Sequence, residues 1–242
     1  MAFLREPQRE PVFRVPGVVT ALIAVLVAAH LARVWLFSAA TSEQIVADCG
    51  FAPLRLAQGA GSSLAETVLP FLGYVFLHAD ATHLTINCLW LLAFGPVVAR
   101  RWGAPAFLLF FLAGGAASAL AYLALAWGQA GIIIGASGAI SALMAAAMRM
   151  LRMPPSLPPG LVEGPLLPLW SSQILVTSAV WVGINLLSGL AGLDPSGGTH
   201  AIAWQAHLGG YFAGLFLTGP IDHFLRPELE SPPPPPQLRS VP

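Results

Sequence analysis

The sequence predicts an all-α polytopic membrane protein, a bundle of six transmembrane helices, and three observations predict it. Of its 242 residues 56% are hydrophobic and 9% charged, against roughly 45–50% and about 25% in an average soluble domain. Mean hydropathy is +0.74. The apolar residues come in blocks close to the roughly 20 residues that a bilayer-crossing helix needs, and the breaks between blocks carry glycine, proline and charge.

Read in order, the spans fall near 16–37, 80–99, 104–127, 136–151, 170–192 and 200–220. The first follows Arg5, Arg9 and Arg14 and precedes Ser38-Ala39-Ala40, which resembles a cleavage site. Its length, Pro16 to Phe37, exceeds the core of a secretory signal, so it reads as a retained span with Arg33 snorkelling at its far end. Residues 39–79 form a long first loop whose apolar stretch, Leu64 to Leu77, is interrupted by Pro70 and Gly73 and is expected in the interface. Residues 152–169 carry six prolines, too many for a helix interior, and read as a linker. The run Pro232 to Pro236 predicts an extended polyproline tail. The expected domains are an N-terminal arm 1–15, a membrane domain 16–220 and a Pro-rich tail 221–242.

Orientation follows from arginine, since the chain has no lysine and cytoplasmic loops collect positive charge. With the N-terminus inside, Arg5, Arg9, Arg14, Arg100, Arg101, Arg149, Arg152, Arg226 and Arg239 are cytoplasmic, and only Arg33 and Arg55 lie outside. Both termini are then cytoplasmic, and helices two, four and six run from the outer face inward. The net charge is zero, so no bulk field attracts nucleic acid, and no nucleic-acid partner is expected. Cys49 and Cys88 do not make a disulfide framework.

Polar groups inside spans are costly and mark functional sites by default. Helix two carries His83 and Asn87, four residues apart on one face. Helix four opens with Gly135-Ala136-Ser137-Gly138, and helix six carries His207. Because these helices run the same way, all four side chains share a depth, recessed about 10 Å from the outer end. Gly210 and Gly214 lie on the His207 face, and Gly138, Ala142, Ala145 and Ala146 make helix four slim, so the two helices can pack closely. That contact would let His207 take a proton from Ser137 Oγ. The helix start at Ser137 offers backbone N–H groups and a positive dipole to an oxyanion, and His83 and Asn87 offer side-chain donors. No buried acid orients His207, since Asp80 and Asp194 belong to loops; the reading is a dyad.

Blander readings stand beside this one. A serine in an apolar helix often bonds its own i−4 carbonyl, and a lone histidine is more often a packing residue. The glycines are structural in either case. His83 and Asn87 could form an interhelical pair or a transport path, although no internal repeat supports a transporter. His78 ties the first loop to the bundle, and Asp80 reads as the N-cap of helix two. Asn185, His30, His200 and His223 read as packing or interfacial residues. Zinc is disfavoured because no His-Glu-x-x-His occurs and no carboxylate lies in a span near the histidines. No metal is expected.

Three motifs in order resemble the rhomboid family of intramembrane serine proteases: His78-x4-His83-x3-Asn87, Gly135-Ala136-Ser137-Gly138, and Ala206-His207-x2-Gly210-x3-Gly214. The resemblance spans roughly residues 16 to 220. It implies Ser137 as nucleophile, His207 as general base, an oxyanion hole from His83, Asn87 and the Ser137 N–H, and Gly135 shaping the turn beside the nucleophile. It implies no cofactor, and single-span membrane proteins as substrates, cut near the outer face. The simple six-span form is similar to the bacterial type, which implies the inner, or cell, membrane. Two positions depart from the pattern. Leu69-Pro70 stands where many relatives carry a Trp-Arg pair that anchors the first loop. Ser141 stands where many carry an aromatic that stacks on the histidine, which implies a less rigid imidazole and modest activity. Neither departure removes a reacting group, so the reading is an active enzyme, with a client-binding protein without catalysis as the second reading that the departures motivate.

Overall fold

Residues 15–59, 64–151, 164–191 and 203–226 are described by the structure, a computed structural model, and they are helical with no strand among them. The helices are α1 Gly17–Trp35, α2 Ala39–Cys49, α3 Pro53–Ala57, α4 Leu64–Gly73, α5 Ala81–Leu125, α6 Ser137–Met150, α7 Ser172–Ala191 and α8 Trp204–Leu225, with a 3-10 turn at Tyr74–Phe76. The arm before residue 15, the proline-rich part of the linker, the segment holding Asp194 and His200, and the expected polyproline tail lie outside the described residues.

The 45 residues of α5 hold two predicted spans in one run. Gly103, at φ 78 and ψ 171, breaks the helical path and divides α5 into arms 81–102 and 104–125. Only glycine reaches such a φ without steric cost. The first arm starts where expected, because the Asp80 carboxylate accepts from the His83 N–H at 2.8 Å, a side-chain N-cap. By length and composition α1, α5 and the stretch Ser172–Gly189 of α7 can each cross a membrane. At 14 residues α6 rises only about 21 Å, short of the roughly 30 Å hydrocarbon core. It sits among its neighbours, with Ala139, Ala142, Ala145, Ala146 and Ala147 fully buried.

The surface is apolar where a soluble protein's would be polar. Leu109 and Leu187 are each 69% exposed and Phe216 57%, while His78, Asn87, Ser118 and Thr218 are buried. This inversion is what a lipid solvent selects, since backbone and side-chain polar groups must find partners inside. At the end of the bundle opposite the Ser137 helix start, the Arg101 guanidinium donates to both Asp222 oxygens at 2.5 and 2.6 Å, and Trp102 Nε1 donates to the same carboxylate at 2.9 Å. This cluster joins the α5 break to α8 and gives a physical reason for α8 to continue past the expected end at 220 to Leu225.

The first loop is mostly helical instead of irregular. α4 runs through Pro70, whose ring is buried, to Gly73. Two of the loop's anchors, Phe51 and Tyr74, are residues that sequence reasoning did not single out. Phe51, fully buried, pairs with Ile133 in a two-bond antiparallel bridge, Phe51 N to Ile133 O at 3.0 Å and the reverse at 2.9 Å. Tyr74 donates its hydroxyl proton to Gly115 O at 2.8 Å. Arg33, expected to snorkel outward, instead turns onto the loop and donates to Ser42 Oγ at 2.7 Å and His78 O at 2.6 Å. Satisfying those groups outweighs reaching for water.

Candidate active site

The site begins with the turn ahead of α6. Gly135 has φ +116, and its N–H donates to Tyr74 O at 2.9 Å. A Cβ there would stand 2.7 Å from His83 Nε2, so the position needs glycine twice, for its φ and for the imidazole packed against it. Gly135→Ala is expected to strain the turn by about 1–3 kcal/mol and push His83 aside, read as lost protease activity with helical content retained in circular dichroism. The next N–H, of Ala136, points at His78 Nε2 at 3.5 Å, and the His78 ring meets His83 edge-on at a centroid distance of 5.1 Å. His78 therefore supports the turn ahead of Ser137 as well as the first loop.

Ser137 is the first residue of α6, so its backbone N–H has no intrahelical acceptor and sits at the positive end of the dipole. Its Oγ lies 2.7 Å from His207 Nε2. What brings α8 that close is the absence of side chains between the helices. A Cβ on Gly210 would stand 2.1 Å from the Gly138 carbonyl oxygen, and one on Gly214 would stand 2.3 Å from that of Ala142. The seam is main chain against main chain. Gly138 in turn packs its α-carbon on Ser118 of α5, where a Cβ would meet Oγ at 2.5 Å.

Ser137, His207, His83 and Asn87 line one cavity of about 740 Å³, with Trp90, Phe94, Ile140 and Met144 as its apolar depth. Asn87 is buried, and its Nδ2 donates to His83 O at 2.9 Å, which fixes the amide one turn below His83. Ser141 also faces the cavity, but its hydroxyl is spent on Ser137 O at 2.8 Å. The aromatic neighbour of the imidazole comes from α7 instead: the Trp181 ring lies 6.5 Å from that of His207 at 32°. Among the described residues no three His, Cys, Asp or Glu side chains gather as a metal-binding group.

The residue that sequence reasoning missed is Asn185. Read as packing, it lies with Oδ1 2.9 Å from His207 Nδ1. A signal was available: α7 runs opposite to α8, so an amide about two turns before the C-terminal end of α7 falls at the same level as His207 near the start of α8, and an amide in an apolar helix needs partners.

A serine hydroxyl held on an imidazole, inside an all-helical bundle with a lipid-type exterior, has the form of a membrane-embedded hydrolase. The Rhomboid domain family matches residues 65–221, a stretch that holds every one of these side chains, and the chain belongs to the rhomboid family. Members of that family are in general intramembrane serine proteases. No curated protein matches the chain.

Proposed function

We propose that the chain is an intramembrane serine endopeptidase that hydrolyses peptide bonds in or near the transmembrane segments of single-span membrane proteins, with Ser137 as nucleophile and His207 as general base. The observation that carries this reading is the 2.7 Å contact between Ser137 Oγ and His207 Nε2 at the wall of a cavity large enough for an unwound peptide segment. Nε2 takes the hydroxyl proton as Oγ attacks the scissile carbonyl, then returns it to the leaving amine; a water repeats the sequence on the acyl-enzyme. Charge on the carbonyl oxygen is met by the Ser137 N–H, the Asn87 amide and the His83 imidazole, donors oriented before the reaction begins. No cofactor enters this chemistry. The working topology is six spans, with the two arms of α5 counted separately and both termini cytoplasmic, which puts the cavity toward the outer face of a bacterial cell membrane.

Loss of one oxyanion donor costs on the order of 10²–10³ in rate where it is studied. With His83 and the backbone N–H retained, Asn87→Ala is expected to lower kcat roughly 10²-fold and leave a measurable remainder. The central experiment incubates the protein, reconstituted in liposomes, with a single-span substrate. Cleavage that survives Ser137→Ala overturns the assignment. A mechanism-based serine probe should label Ser137 in the wild type and fail on His207→Ala; an unlabelled wild type would favour client binding without catalysis.

A further inference from the structure

The proposed mechanism gives His207 a partner on one nitrogen only. The other, Nδ1, faces Asn185 Oδ1 at 2.9 Å. We propose that Asn185 is the positioning residue of the base, holding the imidazole in the one neutral tautomer that can accept the Ser137 proton. This inference rests on the Ser137–His207 reading and extends it to a third side chain, on a third helix.

The chemistry of the amide decides its orientation. Asn185 Nδ2 lies 2.9 Å from the Trp181 carbonyl oxygen, and a carbonyl oxygen can only accept, so the nitrogen faces Trp181 and the oxygen faces His207. An acceptor at Nδ1 requires Nδ1–H, which leaves the lone pair of the neutral ring on Nε2, toward Ser137 Oγ. The opposite tautomer would set an Nε2–H against the serine and two acceptors against each other at Nδ1. Asn185 is itself buried, 3% exposed, and tethered one turn back on its own helix, so it holds the ring in place as well as in tautomer. A neutral amide does this without adding a further charge to a hollow whose other titratable and charged residues are His83, Asp80, Glu43 and Arg33. The position also answers the departure at residue 141: with Ser141 bonded to its own helix, the ring's restraint comes from Asn185 and Trp181 on α7. That helix touches the bundle mainly through α8, by contacts such as the 2.8 Å bond between Ser178 Oγ and the Tyr211 hydroxyl.

The test compares wild type, Asn185→Leu, Asn185→Asp and Ser137→Ala in nanodiscs, with two readouts. The first is the 15N spectrum of selectively labelled His207. Wild type should show a protonated Nδ1 and a bare Nε2, and Asn185→Leu should show a mixture of tautomers. The second is kinetics: Asn185→Leu should lose kcat on the order of 10-fold to 100-fold with KM nearly unchanged, because a base in the wrong tautomer is lost to chemistry and not to binding. Asn185→Asp should recover most of that loss, since a carboxyl keeps an acceptor for Nδ1–H whether ionised or neutral. An Asn185→Leu protein with the wild-type 15N pattern and kcat within about 2-fold of wild type overturns the positioning role. If Ser137→Ala cleaves as well as wild type, the catalytic reading fails instead, and the 15N spectrum still decides whether Asn185 sets the tautomer.

Discussion

Replacing Ser137 by alanine, replacing His207 by alanine, and replacing both are expected to give the same result, a fall in kcat on the order of 10⁴- to 10⁶-fold. Nucleophile and base act as one unit: without the base the hydroxyl is a poor nucleophile, and without the hydroxyl the base has no proton to take. In other Ser-His systems either loss costs nearly as much as both together, so the effects do not add. The measurement is single-turnover cleavage of a single-span substrate by the three variants. A double variant much slower than either single one would mean that the two side chains act separately, and the 2.7 Å contact would then be packing rather than chemistry.

Gly210→Val is expected to have the next largest effect, although residue 210 touches no reacting atom. Its Cβ would begin 2.1 Å from the Gly138 carbonyl oxygen, a backbone atom that cannot rotate away. Restoring an ordinary contact of about 3.4 Å moves α8 from α6 by about 1.3 Å at that level, three residues from His207. Any gain in helix propensity on leaving glycine stays below about 1 kcal/mol, and overpacking of this kind costs about 1–3 kcal/mol, so net destabilisation wins. Because a misplacement of 1 Å alone can cost about 10²-fold, activity should fall on the order of 10³-fold. Thermal unfolding in detergent together with a cleavage assay checks both parts. Normal activity with a valine at 210 would show that the close seam is not what sets the distance between serine and base.

The helices and the site differed in how openly they were written in the sequence. The helices were legible as apolar blocks because lipid imposes a length and an apolar composition, and among the described residues α1, α5 and the Ser172–Gly189 stretch of α7 meet both requirements. The four in-span polar groups were legible for the same reason, each being a cost without evident return. Gly210 and Gly214 were legible as a packing face, three and seven residues from His207. The first loop was not legible: its helices α2 and α4 carry mixed or proline-interrupted patterns, and its anchors are single contacts such as Arg33 to Ser42 Oγ on α2, which no periodicity encodes. Asn185 was missed for a different reason. It sits on a helix of opposite direction, and a search confined to motifs on the three parallel helices passes over the amide that arrives from the side.

The antiparallel bridge between Phe51 and Ile133 ties the first loop to the segment of chain that leads into Ser137. Ile133 is two residues ahead of Gly135 and four ahead of Ser137, so a tug on the loop is handed through a few peptide units to the alcohol itself. A shift of the loop would therefore act on Ser137 as a rein does on a bit, and it would reshape at the same time the cavity wall to which Val46, Ala47 and Ile133 all contribute.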